Sequence, residues 1–334
     1  MKKSNLIARI IKPGLFCLSS MMFLSVGLFS SCSSDDDNET SEPINLETPA
    51  YESVSAKYNV TSGGDGIFSI ELTESGEYIV IFDNASYAPK QNKTTKNMSM
   101  GILNGNKIST RAFIGNIHGK FTKKSDNEFI LDGFGTIVIT GSADNAISIK
   151  VTTEDGEELN LNAEKATILA DTEMTKALCR TWNINTIKMV ATFNGKSFYD
   201  SGARPTSDYN AIYRELNTAM QKLSESINGE EDNETYFTEP GFIPEDIIFT
   251  KAGTYLVTTE SDQLSIYNWA WQNESKGELR YTFKNGMFDE YISNTANVKF
   301  SGNTLTINEI NLNESEGGMS LQVSSEYKCS YVNE

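Results

Sequence analysis

The chain of 334 residues carries 45 acidic against 28 basic residues, a formal charge of −17, with 38% hydrophobic residues, four Cys and one His. That length suits two domains of about 150 residues with sizeable cores, and the charge argues against broad nucleic-acid binding, which needs a dense basic surface. One His excludes two-His zinc motifs and leaves His118 as the only imidazole for a nucleophile device.

At the amino terminus, Lys2, Lys3, Arg9 and Lys12 precede an apolar run from Gly14 to Leu28. A basic start and about 15 apolar residues predict an export signal over residues 1–31, too short for a spanning helix of about 20. Phe29-Ser30-Ser31-Cys32 resembles a lipobox, which implies lipidation of Cys32; Cys17, with Phe16 before it, fits that pattern worse. Ser33-Ser34-Asp35-Asp36-Asp37-Asn38-Glu39 resembles the acidic tag after the lipidated Cys in surface-exposed lipoproteins of Bacteroidetes, and implies the outer leaflet of the outer membrane. Residues 32–49 are polar, acidic and Pro-containing, and predict a flexible tether. Loss of residues 1–31 moves the charge to −21, so the lipid rather than electrostatics must hold the protein to an anionic membrane.

Beyond the tether, residues 50–165 predict a first β domain. Ile70–Val80 can be laid over Ile247–Val257, about 170 residues later, each reading as strand, Gly turn and strand. The likeness continues where Thr136–Gly141 and Ile147–Ile149 match Asn297–Gly302 and Leu305–Ile307, and points to tandem β units. His118 lies near a turn and reads as a surface or hydrogen-bonded residue. Glu154–Glu158 contains Asp155-Gly156 and predicts a hairpin turn. A short helix over Ala163–Leu178 would join the halves.

In residues 166–334 the predicted strands are Thr181–Phe193, Asp246–Thr250, Thr254–Thr259, Leu264–Asn273, Glu278–Lys284, Ala296–Ser301, Thr304–Ile310 and Met319–Val332. Eight consecutive antiparallel strands fit a closed up-and-down barrel or a two-sheet sandwich. One helix interrupts the first two strands: Thr206-Ser207-Asp208 offers a cap, and Tyr209, Ile212, Leu216, Met220 and Leu223 recur at helical spacing to about Ile227. The acidic stretch Glu230–Glu234 predicts a solvated loop; neither it nor Glu154–Glu158 has the ligand alternation of an EF-hand, and no metal is assigned. Leu178-Cys179-Arg180-Thr181-Trp182 resembles the opening of lipocalin-like domains of Bacteroidetes lipoproteins, with Arg180 where those domains carry Gly. The resemblance implies a lipocalin-like barrel. The fold class expected is mainly β, two tandem antiparallel domains.

If the eight strands close in order, Cys179 and Cys329 fall side by side, and export permits a disulfide between them; two buried free thiols are the alternative. Tyr267-Asn268-Trp269-Ala270-Trp271 places Tyr267, Trp269 and Trp271 on one strand face, with Tyr281 on the next strand. Such a stripe fills a core or faces a ligand, and the four are the candidate ligand-binding residues. Nucleophile-elbow, phosphate-loop and dinucleotide motifs are absent, so no catalytic residue and no cofactor is assigned. The expected function is non-catalytic capture of a small amphipathic molecule or glycan at the outer membrane. The alternatives are a structural or adhesive surface protein such as a fimbrial-type subunit, and a two-carboxylate glycan hydrolase.

Overall fold

The computed structural model describes residues 46–63, 66–82, 116–141, 146–229, 231–237, 239–260, 264–285 and 290–332. The expected signal peptide, Cys32, Cys17 and nearly all of the acidic tether lie outside the described residues. Among the described residues, no helix is long and apolar enough to cross a membrane.

Strands β1 (Ala56–Ser62), β2 (Ile67–Leu72), β3 (Glu77–Phe82), β4 (Ile117–Lys123), β5 (Glu128–Leu131), β6 (Gly135–Thr140), β7 (Ile147–Thr153) and β8 (Glu158–Lys165) pair in chain order, and β1 closes on β8. Alternation along β7, where Ile147, Ile149 and Val151 are buried and Ser148 and Lys150 are exposed, sends one face of the barrel to a dry core. The Glu154–Glu158 stretch is the expected turn, with Gly156 at φ +86°.

The second barrel is built from β9 (Thr181–Phe193), β12 (Pro244–Phe249), β13 (Thr254–Thr259), β14 (Leu264–Asn273), β15 (Glu278–Asn285), β16 (Glu290–Ser301), β17 (Thr304–Glu316) and β18 (Met319–Tyr331). Pairing of β9 with β18 closes it, so the barrel rather than the sandwich is formed. Two short strands missed in the sequence, β10 (Lys196–Asp200) and β11 (Arg204–Pro205), fold back on the far half of β9. The predicted joining helix is shorter: Ala163–Lys165 completes β8, and only α1 (Glu173–Leu178) is helical, started by Thr172, whose Oγ1 accepts from the Thr175 amide at 3.1 Å. Helix α2 (Tyr209–Asn228) lies between β11 and β12 and buries Tyr209, Ile212, Leu216 and Met220. Asp208 makes no side-chain cap bond; a 3-10 turn over Thr206–Asp208 leads into the helix instead. The loop after α2 is not simply solvated, because buried Asp232 takes hydrogen bonds from Ser224, Tyr236 and the Glu234 amide.

The repeated hairpin is where the barrels meet. In each copy a Thr Oγ1 accepts from the amide four residues on, Thr73 from Glu77 at 3.0 Å and Thr250 from Thr254 at 3.1 Å, and Gly76 and Gly253 share φ +78°. The hairpins pack Ile79 against Ile248 and Leu256. Around this contact Thr181 donates to Glu77 at 2.6 Å, Lys57 to Thr254 at 2.9 Å and Thr254 to Glu71 at 2.6 Å. Lys251 donates its amide to Glu74 at 3.2 Å and pairs its ammonium with Asp171 and Glu52. Burial, with the neighbouring Glu71 charge, raises the Glu74 carboxyl to about 7.

Of the two states open for Cys179 and Cys329, a disulfide or two buried thiols, the structure has them free and buried. The register explains it: Cys329 lies opposite Ile184, whereas Cys179 caps the end of α1 before β9 begins. Arg180, in the position where lipocalin-like domains carry Gly, is buried and closes α1 by donating to the Ala177 and Lys176 carbonyls, with its guanidinium 4.7 Å from the Tyr331 ring centre.

Candidate functional site

The aromatic stripe goes to the core of the second barrel. Tyr267, Trp269 and Tyr281 are buried. Trp269 donates to the Thr250 carbonyl at 3.1 Å and meets Trp271 edge-on at 5.4 Å, and Trp271, partly buried, donates to Thr175 Oγ1 at 2.9 Å. Tyr255 lies between Tyr267 and Tyr281 at 5.1 and 5.5 Å. None of these residues borders either of two cavities among the described residues, one lined by Glu278 and Asn308 and one by Glu47 and Arg180. The period-two pattern located their face correctly, but in a closed barrel that face is the interior.

The cavity lies instead where two strands part. Strands β16 and β17 pair from Ser301 and Thr304 up to Ala296 and Glu309. Above that point β16 continues with β15 alone and β17 with β18 alone, and β17 bulges between Ile310 and Leu312. A cleft of about 440 Å³ opens at this seam, bordered by Thr295, Ala296 and Asn297 on one strand and Asn308, Glu309 and Ile310 on the other.

Register builds the cleft's outer wall. Glu278 pairs with Asn297, Asn297 with Asn308, Asn308 with Glu326, and Glu326 with Lys188, so one polar row crosses five strands. The adjoining row of Ile310, Ser324 and Val190 is mostly apolar. Lys188 is held by Asp200 at 3.2 Å and Glu326 stands 4.0 Å from Lys328.

Behind the cleft, on the interior face of the sheet, stands Glu309. It is 2% exposed, and among the described residues neither carboxylate oxygen has a hydrogen-bond partner. Burial pushes its carboxyl up to about 7, an effect that the nearby Tyr281 hydroxyl offsets only in part. Its charge in turn acts on Tyr255, Tyr281 and Tyr327, whose hydroxyls burial already raises far above their ordinary value. Tyr209 and Tyr213 of α2 feel the same charge, so the helix lies over the barrel end beside Glu309. The seam carries further buried polar groups: Asn294 donates to the Tyr281 hydroxyl at 3.0 Å, and Asn311 to Ser325. Below it on β17, Leu305 and Ile307 continue the apolar core.

Among the described residues, no group of three or more His, Cys, Asp or Glu side chains converges as a metal cage would require. The backbones of Glu278 and Glu326 lie three strands apart, about 14 Å at about 4.8 Å per strand, wider than the roughly 5 to 10 Å between carboxylates that glycoside hydrolysis uses. Glu309 projects to the opposite face of the sheet from both. Sequence reasoning did not single out Glu309; its one signal was an acidic residue at an inward position of an otherwise apolar alternation, Leu305, Ile307, Glu309.

Fold and site together define a two-barrel β protein with a side cleft in its second barrel. No family model matches the chain, and no curated protein matches it. Among solved structures it is similar to the isotype 1 transferrin binding protein B of serogroup B Neisseria meningitidis, at 12% identity and a TM-score of 0.22, over 63% of this chain and 36% of that one. A transferrin binding protein B double mutant from Haemophilus parasuis Hp5 gives 9% and 0.23, over 84% and 59%. A protein with unknown function from the DUF3598 family, from Nostoc punctiforme, gives 6% and 0.17, over 83% and 93%. The chain thus spans about a third and about three fifths of the two transferrin-binding chains. Likenesses this distant carry no functional argument.

Proposed function

We propose that the protein is a non-catalytic binding protein, anchored by lipid at Cys32 to the outer face of the outer membrane, that captures a small amphipathic molecule in the β16–β17 cleft. The observation that carries this reading is the parting of the two strands at Ala296 and Glu309, which sets an apolar strip beside a polar row in one cavity. Its volume of about 440 Å³ lies in the range of about 300 to 1,000 Å³ typical of small-molecule sites. The spacing of Glu278 and Glu326 and the opposite facing of Glu309 favour binding over hydrolysis. Closure of both barrels disfavours a fimbrial-type subunit, since strand exchange needs a displaceable edge and the short edge strand β10 has Tyr199 bonded to the Ile212 carbonyl of α2 at 3.1 Å. The test is a thermal-shift screen of the mature chain against amphipathic small molecules and glycans, repeated on Ile310→Trp, which fills the cleft. A ligand at 100 times its Kd should stabilise by about 2.7 kcal/mol, and the variant should lose that gain. Hits that persist in Ile310→Trp refute the assignment.

A further inference from the structure

We infer that the amphipathic ligand of the cleft is a short extended peptide bearing Lys or Arg, which docks as an added strand on the open edge of β17 from Ile310 to Glu316. The inference rests on the cleft being the binding site, and adds the chemistry of the occupant and the way it is held.

The argument begins with the backbone at the seam. A strand edge without a neighbour presents a row of N–H and C=O groups with which another chain can pair. Among the described residues, β17 pairs with β18 from Thr304 through Glu316, but with β16 only as far as Glu309. Ile310–Glu316 is therefore a one-sided ladder, about 23 Å long at about 3.3 Å per residue. In a continued ladder the Thr295 amide would bond Ile310; it donates instead to the Asn294 side chain at 2.9 Å. On β17 the bulge turns Asn311 and Leu312 inward together, and both are buried. Beyond it, regular alternation leaves the backbone groups of Asn313 and Ser315 pointing into the seam, away from β18, with both residues exposed.

Charge selects the occupant. Glu314 and Glu316 share the other face of this edge, and stand opposite the apolar Leu321 and Met319 of β18 rather than a cation. Glu278 and Glu326 border the cleft, where among the described residues the one cation of the lining, Lys188, is held by Asp200. The chain carries a net charge of −17, so a second copy would bring like charge to this edge. Lys or Arg two residues apart on an added strand would instead stand beside Glu314 and Glu316. The residues between them would turn outward with Ile310, Asn313 and Ser315, and alternating Lys and Val suits both faces. In this mode β17 keeps β18 as its partner, so a strand is added and none is exchanged, unlike assembly of a fimbrial subunit.

The test uses the mature chain and three fluorescent hexapeptides: alternating Lys-Val, alternating Glu-Val, and the Lys-Val peptide N-methylated at every amide. The last keeps side chains and charge but cannot donate a backbone hydrogen bond. By fluorescence anisotropy the first should bind at least tenfold more tightly than either of the others. Asn313→Pro removes a donor from the seam side and leaves the β18 ladder in place; it should weaken binding about tenfold, and so should Glu314→Gln combined with Glu316→Gln. Urea unfolding followed by Trp fluorescence checks that each variant is folded. If the N-methylated peptide binds equally, or both folded variants bind like the parent, strand addition is overturned. If the Glu-Val peptide binds as tightly, the cationic partner is overturned. If no peptide binds at millimolar concentration while small-molecule hits are lost in Ile310→Trp, the peptide assignment falls and the cleft stands; if neither binds, both readings fail. A concentration-dependent dimer lost in Asn313→Pro would give the edge to a second copy and likewise overturn the inference.

Discussion

Replacing Glu309 by Gln should stabilise the second barrel, and only at neutral and higher pH. The carboxyl rises from its ordinary 4.5 to about 7 because burial penalises the charged form. Between those values the folded chain still holds a proton that the unfolded chain has released, so stability is complete below pH 4.5 and is lost as pH rises through 7. At about 1.4 kcal/mol per pKa step, the loss is about 3 kcal/mol. Glu309→Gln removes it, and should therefore gain about 3 kcal/mol at pH 8 and close to nothing at pH 4.5. All three tryptophans, Trp182, Trp269 and Trp271, belong to the second barrel, so urea unfolding followed by Trp fluorescence reads this barrel alone. With a slope of about 2 kcal/mol per molar urea, the midpoint should move by roughly 1.5 M at pH 8. Glu74 also titrates near 7, but it is common to both proteins and cancels in the difference. Equal gains at pH 4.5 and pH 8 would refute the reasoning, since they would show that Gln improves packing rather than removing a buried charge.

Other outcomes test the remainder of the structure. Ile79→Ala empties the contact with Ile248 and Leu256; it should cost about 2 to 5 kcal/mol and split a single calorimetric transition into two as the barrels uncouple. Gly277→Ala, at φ +68° with a Cβ 2.2 Å from the Val298 carbonyl oxygen, should lose more than about 3 kcal/mol, whereas Gly156→Ala, at φ +86° with open space around it, should lose only about 1 to 2 by thermal melting. Cys179 and Cys329 should resist alkylation in the native protein and both react after unfolding without reductant; a closed pair that alkylates only after reduction would contradict the register.

Much of the fold is readable from the order of residues. A period of two put Tyr267 and Trp269 on the inward face of β14, and apolar positions at helical spacing located α2 from Tyr209 onward. The likeness of Ile70–Val80 to Ile247–Val257 proved to be a shared turn, Thr73 to Glu77 and Thr250 to Thr254, that also forms the contact between barrels. The sequence did not reveal that β16 begins at Glu290 and β17 runs to Glu316, because their polar outer ends lack the apolar repeat of a buried strand.

What the chain determines by itself is local: which side chains share a face, where turns must bend, and that two similar hairpins recur. Which strands become neighbours, and for how long, was decided only by tertiary structure. Strand pairing joins residues distant in the chain, and a period of two encodes a face but not a partner. Hence the aromatic stripe of Tyr267, Trp269 and Trp271 was legible but became core, while the cleft exists only because β16 and β17 stop pairing at Ala296 and Glu309. There a buried carboxyl, which no local pattern would favour, is left on the interior face behind the opening.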